Sequence, residues 1–442
     1  MNTREYFFAL TERLAAGMKA DEHFTCWFSG ESSDFVRFNH AAVRQAGSVK
    51  QGFLRASLIQ GQKQSVFTMG ICEDIEKDGE ALERLLNEQR VKMEFIPDDP
   101  YLLISTVPHS SDSVEESQLS DPRQVVEYTL AMAQGLDLVG IYAGGTIYRG
   151  FANSFGQKNW LTKHNFNLDF SVYLRADKAV KASYAGFVFD PLHFERELTL
   201  VKEKLRALEQ PSRDLSPGKY RAYLTPAALH DLVSMLGWGG LSEKALRTKQ
   251  SSLNKMRDEG KTLSALFSLY EHTGKGTGPL FQAQGFIKPD CVSLIKEGEL
   301  VGSLISPRTA KEYGTHTNGA DGSETPEAYD VAPGNLPRED VLKALGTGIY
   351  IGNLWYLNYS DRQSARITGM TRFATFWVED GQIVAPLNVM RFDDSLYALL
   401  GENLEALTKE CDFMLDPSTY EERSTGSAHL PGAIINNFNL TL

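Results

Sequence analysis

Apolar residues near the N-terminus fall at helical spacing. Tyr6, Leu10 and Leu14 share one stripe with Phe7 beside it, which predicts an amphipathic first helix. Beyond it the period shortens to two. Between Phe24 and Phe67 the apolar or alternating segments FTCWF, DFVRF, GFLRASLI and SVFTM are separated by Gly, Ser, Asn and Gln, as in an antiparallel meander of short strands. A helix through Leu82, Leu85 and Leu86 follows. From Phe166 to Leu174 the alternation is clean, with Phe166, Leu168, Phe170, Val172 and Leu174 on one face and Asn167, Asp169, Ser171 and Tyr173 on the other. That is the signature of a half-buried strand.

Between these segments the punctuation is strong. The Ser- and acid-rich stretch 107–122 predicts a solvated connection and a possible sub-boundary. Asp121-Pro122 and Asp190-Pro191 are cap and first-turn pairs, the second opening a helix whose Phe194, Leu198, Val201, Leu205 and Leu208 repeat at 4-3-4-3 spacing. EQPSRDLSPG then breaks structure, so the chain divides into an N-terminal α/β domain over 1–210 and a β-rich C-terminal domain over 219–442. In the second part Asp380-Gly381 between two apolar runs predicts a hairpin, Pro386 puts its second strand at an edge, and a helix is expected over Ser395 to Lys409. The fold class is α+β.

Composition narrows the function. The 442 residues exceed what one core usually serves, and the formal net charge of -12 without a basic run leaves no electrostatic footprint for nucleic acid. No run of about eighteen apolar residues occurs, and the start MNTREYFFAL lacks a signal-peptide core, so a cytoplasmic location off the membrane is expected. Cys26, Cys72, Cys291 and Cys411 form no C-x-x-C pair and read as buried free thiols.

The stretch TPAALHDLVSML has more chemical interest. Thr225 caps and Pro226 opens a helix whose core stripe is Leu229, Leu232, Val233 and Leu236; His230 and Asp231 lie off it, as on a surface or edge. A His-acid pair with a second His one helical turn on would bind zinc, but Ser234 and Met235 occupy those positions. HTGKGTGP lacks the Gly-Lys-Ser/Thr of a phosphate loop and reads as a flexible turn. His316, Asp321, Glu324 and Glu327 lie among turn residues without the spacing of a calcium loop. Arg362, Arg366 and Arg372 cluster around a glycine, where guanidinium forks suit carboxylate or phosphate. No serine elbow or cysteine nucleophile motif occurs.

Taken in order, DFVRFNHAAVRQAGSVKQGFLRASLI, GFANSFGQ, LIKEGELVGSLISPRTA, VAPGNL, GIYIGNL, ITGMTRFATFWVEDGQIVAPL and LPGAIINNFNLTL resemble the TldD/PmbA family, known as modulators of DNA gyrase and associated with a peptidase complex. The resemblance spans nearly the whole chain. One branch of that family carries His-Glu-x-x-x-His on a helix and a cysteine near the C-terminus as a zinc site; the PmbA branch, also called TldE, lacks those ligands and pairs with a TldD-like chain. The corresponding helix here holds His230, Asp231 and Met235, and STGSAHLPG has no cysteine. The departures are Thr315 to Asn318, in place of a Ser-Thr-Gly turn, and the aromatic NLWYLNYSDRQ insertion.

The resemblance implies a PmbA-like subunit without a zinc site or other cofactor of its own, with His230, Asp231 and Met235 as a vestigial position. Zinc is then expected in a TldD-like partner. That partner, or a second copy of the chain, would complete a dimer acting on unfolded peptide, with Arg362, Arg366 and Arg372 as candidate contacts to substrate or partner. Two alternatives remain open: an autonomous metallopeptidase built on His230, Asp231 and either His316 or His429, and a gyrase- or DNA-related binding protein.

Overall fold

The computed structural model describes residues 1–176 and 178–441. Seven strands make the first sheet: β1 (His23–Asn39), β2 (Ala42–Gln60), β3 (Lys63–Gly70), β4 (Ser110–Val114), β5 (Asp137–Asn153), β6 (Lys158–Arg175) and β7 (Lys178–Gly186). Their order is β3-β2-β1-β5-β6-β4, and β7 pairs with β6; all contacts are antiparallel except β4 with β6. Helices α1 (Thr3–Ala16) and α2 (Ile75–Met93) cover one end, with Phe7, Leu10, Leu82 and Leu86 packed on Phe24 and Phe28 of β1. Helices α3 (Pro122–Met132) and α4 (Pro191–Leu208) cover the other, where Phe194, Leu198 and Val201 meet the apolar face Phe166, Leu168, Phe170 and Val172 of β6.

The second sheet has eleven strands: β8 (Gly218–Leu224), β9 (Leu269–Glu271), β10 (Val292–Lys296), β11 (Glu299–Leu300), β12 (Ala328–Val331), β13 (Gly348–Asp361), β14 (Arg366–Glu379), β15 (Gln382–Pro386), β16 (Arg391–Ser395), β17 (Leu404–Leu415) and β18 (Ser427–Leu440). Because β8 pairs with both β13 and β18, the strands β18, β16, β14, β13 and β8 close into a ring. Helix α5 (Pro226–Ser234) leaves β8 directly and lays Leu229, Leu232 and Val233 into this core, all fully buried. The α+β class expected from the sequence is what the chain adopts.

Several elements differ from the sequence-based expectation. FTCWF and DFVRF are one strand: Gly30 to Ser33 continue β1 because they are paired on both sides, with residues 49–52 of β2 and 145–148 of β5. Ladder pairing outweighs turn propensity there. The connection 107–122 contains β4, which adds a parallel edge strand through Lys158–Thr162. The helix expected from Ser395 to Lys409 is a single π-turn at Ala398–Glu402, broken by the non-helical Gly401, after which Leu404–Leu415 joins β18 as a strand. Of the four thiols only Cys26 is buried; Cys72 and Cys291 are exposed and Cys411 is intermediate.

The expected helix starts hold. Asp121, Asp190 and Thr225 each accept a backbone N–H in the first turn of their helices. The Asp380-Gly381 hairpin is present with both residues at positive φ (46° and 77°), as a type I′ turn requires. No helix among the described residues is long and apolar enough to cross a membrane.

Candidate functional site

A cavity of about 440 Å³ opens between the two sheets, and α5 forms its floor. Ala227, His230, Asp231 and Ser234 recur at helical spacing, so they share the face of α5 opposite its core stripe and line the cavity together. The opposite wall is the polar face of β6 and β7, where Asn167, Asp169, Lys181 and Ser183 point the same way by strand alternation. Asp416 and Ser427, where β17 ends and β18 begins, close the side. A second cavity of about 380 Å³ shares Lys181 to Ser183, Asn353 and Met414 with the first, so the two form one groove.

His230 and Asp231 are therefore not on an ordinary surface, as the helical spacing alone implied. Burial lowers the pKa of the His230 imidazole against the opposing charge of Asp416, and Tyr329 meets the ring edge to face at 5.9 Å. Burial pushes the Asp231 carboxyl up to about 6, although Oδ2 accepts the Leu354 N–H at 3.0 Å and Lys181 is nearby. Asp169 is also raised by burial, and Lys181 pairs with it at 3.3 Å.

A catalytic zinc centre takes three protein ligands and an open position. His230 supplies one imidazole and Asp231 one short carboxylate. On the next turn the cavity side is Ser234, while Met235 is packed in the core at 2% exposure. Ser427 lines the cavity near the C-terminus with a neutral hydroxyl. Among the described residues no group of three or more His, Cys, Asp or Glu is placed to hold one ion. The donor set does not fit zinc.

The histidines of the alternative ligand sets lie elsewhere. His316 is exposed and does not line the cavity. His429 turns away, since Asp330 and His429 pair one step along from Tyr329 and Ala428, and successive side chains take opposite faces. There Asp330 accepts from His272 (2.7 Å), Lys275 (2.9 Å) and His429 (3.0 Å). Burial opposes its ionisation, yet these bonds hold its carboxyl below the usual range. The loop read as a flexible turn is thus anchored through His272 and Lys275.

The acids of 313–327 are also engaged. Glu324 accepts from Ser242 and two backbone N–H groups, Asp321 caps Ser323 and Glu324, and Glu327 pairs with Lys288 at 2.5 Å.

The three arginines do not reach the cavity either. They brace the β13–β14 hairpin: Arg362 donates to the Trp238 carbonyl and lies over Tyr359, Arg366 pairs with Asp393, and Arg372 stacks 4.0 Å from the Trp355 ring centre. Sequence reasoning missed Lys181, Asp416 and Ser427 because nothing local marks them. Asn167 and Asp169 were placed on the polar face of their strand, but that face is a cavity wall.

A sequence model described as the PmbA/TldA metallopeptidase C-terminal domain matches residues 217–442. No curated protein sequence matches the chain. Among solved structures, TldE from Thermococcus kodakarensis is 16% identical, with 98% of this chain and 100% of that one aligned at a TM-score of 0.78. A protein from Thermotoga maritima labelled a modulator of a DNA gyrase is 15% identical over 98% of this chain and 99% of its own, with a TM-score of 0.77. Another from Bacteroides thetaiotaomicron is 15% identical over 99% and 98%, at 0.74. At these identities the likeness is one of fold. The matched domain begins just before β8 and contains α5 with its His230 face, and on that match the chain belongs to the PmbA/TldD family.

Proposed function

We propose that this chain is a PmbA-like, non-hydrolytic subunit that holds an extended stretch of unfolded peptide in its groove, in the cytoplasm, for a TldD-like partner whose zinc centre cleaves it. The observation that carries this is a groove whose floor, α5, lies within the matched domain and presents one imidazole, His230, without a second ligand on its next turn. The walls suit an extended chain. β7 pairs only with β6 among the described residues, and β17, bridged to Leu336 at Thr408, has no second partner at Met414–Leu415; they contribute Lys181–Ser183 and Met414–Leu415 to the groove. Unpaired strand edges offer main-chain donors and acceptors to an added strand.

The test is metal content and cleavage of an unfolded peptide by the purified chain, alone and mixed with a TldD-like chain. The expected result is less than stoichiometric zinc, no cleavage alone, and cleavage with the partner. Stoichiometric zinc lost in His230→Ala, with cleavage by the chain alone, overturns the reading in favour of an autonomous metallopeptidase. A net charge of -12 gives a DNA-binding reading no electrostatic support.

A further inference from the structure

We propose that the groove selects peptides presenting a basic group, an ammonium or a guanidinium, to the cavity lined by Asp231 on its floor, Asn167 on the opposite wall and Asp416 at the side. The inference rests on the peptide-binding reading above and specifies what that peptide carries. Four carboxylates, Asp169, Asp231, Glu327 and Asp416, line the cavity against a single lysine, Lys181. Two are already neutralised, Asp169 by Lys181 at 3.3 Å and Glu327 by Lys288 at 2.5 Å.

Asp231 and Asp416 have no ion pair among the described residues. Each accepts a backbone N–H, from Leu354 at 3.0 Å and from Ser418 at 2.9 Å. His230 does not compensate, because burial favours its neutral form.

Asn167 is an independent observation. It is 7% exposed, lies on the cavity face of β6, and its Oδ1 has no hydrogen-bond partner. A buried acceptor without a donor is unfavourable, so a group that donates to it is favoured. The three side chains line one cavity with two unpaired carboxylates and an acceptor that lacks a donor. An ammonium brings three N–H donors and a guanidinium five, with the matching charge. A carboxylate would meet like charge, and an apolar side chain would leave the acceptors unpaired.

The test uses the full chain and unstructured Gly/Ser/Ala peptides labelled at the C-terminus, with binding followed by fluorescence anisotropy. One peptide has a free amino terminus and no basic residue. Three are N-acetylated and carry a central Lys or Arg, Ala, or Glu. The expected result is roughly tenfold tighter binding of a cationic peptide than of the acetylated Ala peptide, weaker binding of the Glu peptide, and loss of most of that preference in Asp231→Asn and Asp416→Asn.

The free-amino and the Lys or Arg arms distinguish a peptide terminus from a side chain as the source of charge. Asp416 is exposed on a loop, so its variant tests the idea even if Asp231→Asn perturbs folding. Equal binding of Ala and cationic peptides, or a preference that survives Asp416→Asn unchanged, overturns this inference alone. Failure of every peptide to bind overturns the peptide-holding reading as well.

Discussion

At the scale of single residues, Asp231 carries a cost of burial. Its carboxyl is desolvated, and its pKa rises from 3.8 to about 6. A raised carboxyl pKa means the folded state binds the proton more readily than the unfolded chain, so ionisation opposes folding. The penalty is absent below about pH 4, grows as pH rises toward 6, and is complete above it. A difference of about two pKa units corresponds to at most about 3 kcal/mol. Asp231→Asn keeps an acceptor for the Leu354 N–H and removes the charge. Denaturant unfolding is expected to show the variant more stable than the parent at pH 8, with the gain fading by pH 4. A gain independent of pH would mean burial of the charge is not the cause. A group kept at such a cost is consistent with a task in the cavity.

At the scale of elements, α5 decides the site. Thr225 and Pro226 start it, Leu229, Leu232 and Val233 hold it in the ring of strands, and the remaining face presents His230, Asp231 and Ser234. Leu232 is fully buried, so Leu232→Ala is expected to cost about 2–5 kcal/mol in denaturant unfolding. A cost below about 1 kcal/mol would show that the helix is not anchored through this stripe. The cap, the proline and the stripe are all local, which is why α5 was legible in the sequence. The segment from Ser395 to Lys409 was not. Its apolar spacing suits a helix, but Gly401 breaks the turn and β18 supplies a partner strand distant in sequence.

At the scale of the whole molecule, the two halves are tied by a polar layer. Arg423, on the loop between β17 and β18, is 5% exposed and donates to the Asn165 carbonyl at 3.0 Å, to the Asn165 side chain, and to Ser33 at 3.3 Å. Burial lowers its pKa to about 10, against the charge of Glu31, so it stays charged at neutral pH. Gln51 of β2 reaches the same loop through the Glu421 carbonyl, and Arg149 of β5 through Glu422 at 3.5 Å. Arg423→Ala leaves buried acceptors on β6 without their donor and is expected to lower the unfolding free energy by about 1–3 kcal/mol. The loop also carries Asp416, so the same variant should weaken peptide binding in the anisotropy assay. Unchanged stability would show that Arg423 does not tie the halves.

The sequence by itself determined the α+β class, the principal helices with their caps, the alternating face of β6, and the family, because each depends on neighbours in the chain or on residue order. It also showed that the second zinc-type ligand on α5 is missing. Only the tertiary structure decided that His230 lies in a cavity and not on an open surface, that His429 belongs to the Asp330 cluster, and that the arginines brace a hairpin. The physical reason is the same in each case. A polar side chain off the core stripe looks alike in sequence whether it faces water or another sheet, and what faces Asn167, Asp169 and Asp231 comes from residues up to about 260 positions away, a distance that no local period encodes.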